Sequence, residues 1–532
     1  MKWRFLGSRF SLGGLAVRFA GISNFFSSGI AKLAFKPRVF LLLAFFTPLV
    51  VRAIPEVLMG SFVVGFDTLA YYVPNALVWL RDGVGFWSFL AVAPFLYVLL
   101  MGVTAVGVPI VASLKVLSPL LLGLLGLAVY FYAHKTLSWS PRKSFLAVLF
   151  ATLYFVALRI SWDMLRSELA LIFLFVTLTF IEKDDKPLRN GVLLSLAMIS
   201  VVFAHQLVAV IMFFVVLVTL VRWSLDRRMI DVRRLVVCVV PAVLLFSMIV
   251  YANYVVSPQF SVLSGFPAKE AEGFMALAGF ASYLDLVVDT LGFLVFCFLP
   301  LLPLVVFGFK WFKGHLQLKA WVLWVFIALF SAFLSPNAFV AALPHRWILL
   351  LTYPLAFFAA DAFARLRLNV YKVGMGVVLA TLSLSFLVLP YSLAFPYFSF
   401  GSVYTPVSML HNTMPLSDCQ DTLNALQWAG NRMDNSSRLL VHDAFYGWAM
   451  LTFDREELLC YGYDNPASYA QVLVENGSQC QMYLIWWVNG SGWCGQPTVS
   501  SVFEEVYTSG RIAVYAYHAS ASDSEYLMSG NS

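Results

Sequence analysis

Eleven long apolar segments dominate this chain and constrain its fold more than any other feature. A helix needs about 20 mostly apolar residues to cross a bilayer. The predicted spans are 39–60, 109–133, 144–160, 165–182, 191–204, 207–222, 235–255, 286–309, 319–335, 347–364 and 373–394. Of the 532 residues, 61% are hydrophobic and 12% are charged, whereas a soluble domain is nearer half apolar and a quarter charged. The sequence therefore predicts a polytopic all-α membrane domain.

Segment 86–106, FWSFLAVAPFLYVLLMGVTAV, is apolar enough to be a twelfth span, and the charges decide against it. Short cytoplasmic loops are enriched in Lys and Arg. If 86–106 lies along the outer surface, the basic clusters between Lys135 and Lys372 fall on the same side as the basic N-terminus. If it crosses, nearly all of them fall outside. We therefore predict a surface segment, a cytoplasmic N-terminus and an extracytoplasmic C-terminal region.

Three regions follow from this pattern. Residues 1–37 are basic and contain no acid, which fits either an amphipathic segment on the cytoplasmic face or a disordered basic tail. Residues 38–396 form the predicted transmembrane domain. Residues 397–532 are polar and predict an extracytoplasmic α/β domain. Every loop on the predicted inner side is short, so we expect no cytoplasmic domain that could bind a nucleotide.

The α/β prediction for the C-terminal region depends on two kinds of periodicity. Residues 421–433 are apolar at close to helical spacing, which predicts a helix. The segments 437–443, 482–488 and 511–517 are rich in apolar and aromatic residues and predict strands. Three glycosylation sequons, at Asn435, Asn476 and Asn489, suit an outer location.

The six cysteines divide between the two predicted domains. Cys238 and Cys297 lie within apolar spans, where they are expected to be packing residues. The other four lie in the polar region and could form two disulfides, with three possible pairings: Cys419, Cys460, Cys480 and Cys494.

Asp67 is only the second acid in the chain, and it lies where the first span reaches its outer end, in GFDTLAYY (65–72). The stretch that follows can form a helix, in which Asp67 and Tyr71 would share a face. One interpretation is a helix N-cap, a position that Asp favours. The other is a functional carboxylate at the membrane surface, with Tyr71 beside it as a substrate-binding residue.

The layout around Asp67 resembles the GT-C superfamily of membrane glycosyltransferases, in particular its protein-mannosyltransferase and aminoarabinose-transferase branch. The order is a span, an acid at its outer exit, a short amphipathic helix, an apolar surface helix with APFLYVLL, and a span back. The stretches VASLKVLSPLLLGLLGLAVYFYAHKTLSWS (111–140) and FLAVLFATLYFVALRISWDMLRSELALIFLFVTL (145–178) also match in layout. The likeness covers roughly 38–222 well, and the later spans only by hydropathy.

The resemblance implies that Asp67 is the catalytic acid of the outer loop. Many members place a second acid beside it, but Thr68 stands there in this chain. That departure leaves open whether a divalent metal is needed and which acceptor is used. The WWD-type motif of the oligosaccharyltransferase branch is absent, since WWVNG at 486–490 lacks the Asp.

The resemblance also implies a substrate class. Glycosyl transfer to a hydroxyl needs a base for the acceptor proton or a carboxylate that stabilises positive charge on the sugar. Because no sugar nucleotide is expected outside the cell, the implied donor is a polyprenyl-phosphate sugar in the outer leaflet. Its acceptor would be a lipid, a glycan or a protein, and the charge pattern does not indicate nucleic acid.

Such a donor needs cations near its phosphate and an apolar groove for its tail. Arg159 and Arg166 flank the outer ends of two spans and could bind phosphate bidentately, or could pair with Asp163 and Glu168. The remaining candidates near the outer side each have a packing or snorkelling alternative. These candidates are Lys115, His205, His345 and Arg346.

Two other classes of function compete with the enzyme. A lipid or sugar transporter should place acids or broken helices near the middle of the membrane, and a scaffold would use Asp67 only as a helix cap. The outer loop 256–285 could cover a site as a lid or be a solvated loop. Geometry discriminates between the classes: the enzyme requires Asp67, Arg346 and Arg159 or Arg166 to converge.

Overall fold

The structure of the chain is a computed structural model. It describes residues 37–183, 187–256, 282–311, 315–334, 344–366, 369–387, 412–434, 436–461, 465–476, 480–488 and 499–518. The basic segment predicted at 1–37 lies outside this range apart from Pro37, and so does most of the loop 256–285.

The first domain is helical throughout the residues that the structure describes. Its helices outside the first outer loop are α1 (Pro37–Leu58), α5 (Ile110–Phe131), α6 (Pro141–Leu153), α7 (Phe155–Asp163), α8 (Leu165–Ile181), α9 (Pro187–Ala204), α10 (Gln206–Leu225), α11 (Met229–Val256), α12 (Tyr283–Phe298), α13 (Leu302–Trp311), α14 (Leu316–Ala332), α15 (Pro344–Leu350), α16 (Thr352–Arg365) and α17 (Asn369–Leu387).

The described part of each of the eleven predicted spans coincides with one of these helices or with a pair of them. Among the described residues, six helices are long and apolar enough to cross a membrane, counting α15 and α16 as one. Two bent pairs raise that number to eight: α6 with α7, bent by 58°, and α12 with α13, bent by 78°. The polytopic helical fold is thus confirmed with six to eight apolar spans, and the full number of eleven stays a prediction.

The first outer loop connects α1 to α5 and contains three short helices: α2 (Val73–Asp82), α3 (Phe86–Ala91) and α4 (Phe95–Ala105). Segment 86–106 is therefore broken near Pro94 into helices of 6 and 11 residues. At about 1.5 Å of rise per residue, neither is long enough to cross a bilayer. This agrees with the surface segment that the charge pattern predicts.

The C-terminal region forms the predicted α/β domain, which we call the outer domain after the side of the membrane on which the charge pattern predicts it to lie. Its elements are α18 (Cys419–Arg432), β1 (Arg438–Val441), α19 (Asp443–Ala449), β2 (Leu458–Cys460), α20 (Pro466–Glu475), β3 (Met482–Trp487), β4 (Phe503–Ser509) and β5 (Ile512–Tyr517). The strand order is β2-β1-β3-β5-β4. Strand β1 pairs in parallel with β2 and β3, and β5 pairs antiparallel with β3 and β4.

The core of the outer domain follows the strand patterns. Leu439, Leu440 and Val441 of β1 and the apolar residues of β5 are buried. The three predicted strands and the predicted helix are confirmed to within about two residues, the usual uncertainty of element ends. Strands β2 and β4 escape prediction, since β2 has three residues and β4, FEEVYTS, is a polar edge strand.

Two disulfides do not form among Cys419, Cys460, Cys480 and Cys494. Cys419 and Cys480 are free thiols, and Cys494 lies outside the described residues. Cys419 is buried at the start of α18, whereas Cys460 is exposed at the end of β2 and donates to Asp443 at 3.1 Å. Two disulfides would need all four cysteines to pair, which the free thiols of Cys419 and Cys480 exclude.

Candidate active site

The turn that carries Asp67 is shaped by an unusual backbone at Gly65. Gly65 has φ +123°, and a Cβ built on it would lie 2.2 Å from the carbonyl oxygen of Trp162. Only glycine fits both the dihedral angle and this close approach. The turn therefore rests directly on the end of α7, two residues before Asp67.

Asp67 precedes a π-helical turn, Thr68–Tyr72, and makes no side-chain capping hydrogen bond to it. Its φ and ψ of −61° and −24° are already helical, whereas an N-cap residue has extended backbone. The N-cap interpretation of Asp67 thus lacks its defining contact. Single π-helical turns within helices often occur at functional sites.

Asp67 shares its surroundings with Tyr97 and Arg166. Burial raises the pKa of Tyr97 above its usual value; Arg166 opposes that shift electrostatically and Asp67 adds to it. The Tyr97 hydroxyl also accepts from Asn75 Nδ2 at 3.4 Å. The guanidinium of Arg166 lies 6.0 Å from the Tyr97 ring and donates to the carbonyl of Val92. Tyr97 therefore lies within electrostatic range of both the acid and the cation.

Arg166 in turn belongs to a group of cations around two histidines. The charges of Arg166 and Arg346 both act on the ring of His205, and those of Arg346 and Arg159 both act on the ring of His345. These residues come from α7, α8, α15 and the break between α9 and α10. Arg166, Arg346 and Arg159 thus lie within electrostatic range of the same pair of histidines, and we call these three cations the arginine cluster.

Local contacts hold in place the residues that surround this cluster. His205 lies in extended backbone at the start of α10, and its Nε2 is 3.3 Å from Ser167 Oγ. The next residue, Gln206, donates to the carbonyl of Ala91 at 2.8 Å. Arg159 is only 4% exposed. The cluster is therefore embedded between the helical bundle and the first outer loop rather than free on the surface.

Two predicted site residues lie apart from the arginine cluster. Tyr71 is in the π-helical turn with 53% of its surface exposed. Lys115 donates to the carbonyls of Glu56 and Phe62 at 2.6 and 2.5 Å, and its Nζ lies 3.5 Å from Glu56 Oε2. An ammonium has three hydrogen-bond donors, and these three contacts all bind Lys115 to the segment that leads to Asp67.

Arg52 continues this buried network below the Asp67 turn. It pairs with Glu56 at 2.8 Å, and its Nε donates to the carbonyl of Ser161 at 3.1 Å. Its charge also acts on Glu168, which is fully buried. The network fixes the end of α7. The following carbonyl of that helix, that of Trp162, is the one against which Gly65 packs.

Sequence reasoning missed three contributors: Arg52, Tyr97 and Gly65. Arg52 could have been found, because Arg and Glu four apart within an apolar helix mark an intramembrane ion pair. Tyr97 and Gly65 depend on contacts with residues about 70 to 100 positions away, which no local pattern indicates. Among the described residues, no group of three or more His, Cys, Asp or Glu is arranged to hold a metal ion.

Comparison with known proteins finds similarity in structure only. No family model and no curated protein matches the chain. The solved structure of ArnT from Cupriavidus metallidurans bound to undecaprenyl phosphate matches with a TM-score of 0.53 and 14% identity, over 96% of this chain and 99% of that one. Its apo structure matches with a TM-score of 0.48 and 14% identity, over 95% and 98%.

The match to the structure with undecaprenyl phosphate, whose TM-score exceeds 0.5, confirms the predicted resemblance at the level of the fold. ArnT is an aminoarabinose transferase of the GT-C type, and this chain shares its architecture over nearly its full length. At 14% identity the likeness extends to the fold alone. What the chain does must be argued from its own residues.

Proposed function

We propose that the chain is a membrane glycosyltransferase that moves a sugar from a polyprenyl-phosphate donor to an acceptor hydroxyl at the outer face of the membrane. The observation that supports it most is the linkage of Asp67, through Tyr97, to the arginine cluster. An enzyme of this kind requires such an acid and such cations to be close together, whereas a scaffold does not. The ArnT structure, with undecaprenyl phosphate bound, supports the ligand class.

In this proposal the guanidinium groups of Arg166 and Arg346 hold the donor phosphate, with Arg159 behind them. Planar guanidinium groups bind phosphate oxygens bidentately. They would stabilise the negative charge that grows on the phosphate as the bond between the sugar carbon and the phosphate oxygen breaks. Repulsion between Arg166 and Arg346 falls when a phosphate binds, so these two cations favour an anionic ligand.

Asp67 would act on the side of the sugar opposite the phosphate. Its carboxylate accepts the proton of the acceptor hydroxyl while the hydroxyl oxygen forms the new bond to the sugar carbon. The products are a glycosylated acceptor and a polyprenyl phosphate. Tyr97 lies within electrostatic range of both the base and Arg166, and Lys115 holds the segment before Asp67 without contacting the donor.

The polyprenyl tail would need an apolar path, and the helical bundle offers one. A cavity of about 630 Å³ lies among α12, α13, α14 and α16, and Leu351 and Leu355 line it a short distance along the chain from Arg346. The other lining residues are Leu294, Val295, Phe298, Leu299, Leu302, Val305, Val306, Phe309, Lys319, Val322, Leu323 and Phe326. We propose that this cavity receives part of the tail.

The test is transfer of radiolabelled sugar from a panel of polyprenyl-phosphate donors by reconstituted protein, with Asp67→Asn beside wild type. The change is near-isosteric and removes the base, so transfer should fall by at least about a hundredfold, the usual weight of general-base catalysis. Asp82→Asn, an exposed acid in the same outer loop, is the matched control and should retain the wild-type rate. Equal transfer by wild type and Asp67→Asn would refute the role of Asp67.

A lipid-linked sugar flippase is the second candidate, and the two bent helix pairs favour it. Breaks of 58° and 78° resemble the discontinuous helices of transporters. Liposomes with a fluorescent polyprenyl-phosphate sugar separate the two functions. A flippase moves the label between leaflets without an acceptor, and Asp67→Asn leaves that movement unchanged. The enzyme transfers label only when acceptor is present.

A further inference from the structure

The Asp67 turn is held from two sides, and one side belongs to the outer domain. On the membrane side, Gly65 rests on the carbonyl of Trp162, as described above. On the other side, Gly447 of α19 lies against the π-helical turn. A Cβ built on Gly447 would lie 1.6 Å from the carbonyl oxygen of Leu69. Any side chain at position 447 would therefore overlap the backbone two residues after Asp67.

Further contacts extend this interface around the turn. Asn412 Nδ2 donates to the carbonyl of Val63 at 3.1 Å. The rings of Phe62 and Trp448 lie 5.9 Å apart, edge to face. The indole of Trp448 donates to Thr413 Oγ1 at 2.9 Å. Residues 62–69 thus contact both α19 and the segment that leads into α18.

An ion pair closes the rim of the interface. Arg81, at the end of α2, lies 2.5 Å from Asp454 and donates to the carbonyl of Phe453 at 3.2 Å. Both partners are well exposed, so the pair contributes little energy by itself. It does fix the register between the first outer loop and the outer domain.

We propose that the outer domain is part of the catalytic apparatus, and that Gly447 is a positioning residue that fixes the Asp67 turn through its contact with the Leu69 backbone. The significance of the contact for chemistry rests on the proposed function of Asp67. A displacement of about 1 Å in a catalytic group can cost about a hundredfold in rate. A methyl group at 447 must displace the turn or α19 by at least that much, given the 1.6 Å separation.

The experiment compares Gly447→Ala with Gly430→Ala in the full-length reconstituted protein. Gly430 is also a helical glycine of the outer domain, but a Cβ on it would meet its nearest neighbour, Thr452, at an ordinary 3.5 Å. Two readouts are taken. Hydrogen exchange by mass spectrometry follows the backbone of residues 62–76, and transfer kinetics give kcat and donor KM separately.

For Gly447→Ala we expect faster exchange confined to 62–76 and the facing α19, and a kcat lower by about ten- to a hundredfold. Donor KM should stay within about threefold, because the arginine cluster is not displaced. Gly430→Ala should match wild type in both readouts. If both variants behave alike, or if Gly447→Ala raises KM and leaves kcat unchanged, the inference is overturned.

A second variant controls for the possibility that Gly447→Ala misfolds. Arg81→Gln removes only the exposed rim pair, so the domain stays folded, and we expect a smaller rise in exchange over the same residues and a kcat loss of about two- to fivefold. Unchanged exchange over 62–76 in this variant and in Gly447→Ala would overturn the inference. If wild type transfers no sugar from any donor, the proposed function fails, while hydrogen exchange still decides whether the outer domain orders the Asp67 turn.

Discussion

One membrane span carries two groups of charges, one at each end, and the two groups are built differently. At its start Arg346 joins Arg159 and Arg166 around two histidines. At its end Asp361 is fully buried between two cations: Lys143, and Arg365 at 2.9 Å. Arg346 and Asp361 are fifteen positions apart, which corresponds to roughly 22 Å of helix.

We interpret the charges at the Asp361 end as structural and those at the Arg346 end as functional. At the Asp361 end, opposite charges meet, and the buried carboxylate has both oxygens engaged. Such a pair maintains packing and needs no further ligand. At the Arg346 end, the charges of Arg346 and Arg166 both act on His205, and two cations close together favour an anionic ligand. We therefore place the donor phosphate at the Arg346 end.

The largest expected effect comes from Arg346→Gln, which replaces the charged guanidinium with a shorter, neutral but still polar side chain. Loss of a charged hydrogen bond to the phosphate should lower kcat/KM for the donor by about a hundredfold, mainly through KM. Arg365→Gln at the other end of the span is the matched control and should stay within about threefold of wild type. Steady-state transfer assays check both, and equal losses would abolish the distinction between the two ends.

Asp361→Asn should act in the opposite way. Removing the carboxylate leaves two cations without their partner, and since these are partly exposed the cost is moderate, about 2 kcal/mol of unfolding free energy. Thermal unfolding in detergent would measure the loss. Transfer per folded molecule should remain near wild type. A selective loss of activity with unchanged stability would show that the Asp361 end also serves the reaction.

Tyr97→Phe should have a smaller effect and would sharpen the picture of the Arg346 end. It removes the hydroxyl on which the charges of Asp67 and Arg166 both act and keeps the ring that packs on Tyr72 and Trp79. Losing one hydrogen bond near a charge should reduce kcat by about tenfold. Full activity in this variant would reduce Tyr97 to a packing residue and weaken the link between acid and cations.

Arg222→Gln is expected to do least. Arg222 pairs with Asp226 at 2.7 Å, four residues on, but both side chains are well exposed. Exposed pairs of this kind contribute about 0.3–0.5 kcal/mol. The unfolding temperature and the transfer rate should change by no more than this small energy implies. A large effect would mean that exposure is a poor guide to the role of charges in this protein.

Sequence patterns predicted the fold well where hydropathy decides it. Every predicted span falls on helix because a long apolar run in a bilayer has few other ways to satisfy its backbone. Segment 86–106 was ambiguous by hydropathy and needed the charge distribution. The short strand β2 and the polar edge strand β4 gave too little periodicity to be recognised.

The candidate site was only partly predictable, for a physical reason. Ionisable residues in an apolar chain are conspicuous, so Asp67, Arg159, Arg166 and Arg346 could be selected by type and position. Their convergence depends on how distant helices pack. The roles of Gly65 and Gly447 depend on backbone contacts across the fold. Lys115 illustrates the limit, because its position alone did not show that it holds the segment before Asp67.

The most direct test of the central claim is an experimental structure of the protein with undecaprenyl phosphate bound, determined by cryo-electron microscopy in lipid nanodiscs. We expect the phosphate within hydrogen-bonding distance, about 3 Å, of Arg166 or Arg346, and the Asp67 carboxylate facing the same space. A phosphate bound instead beside Lys143 and Arg365, or one that lies away from Asp67, would contradict the account.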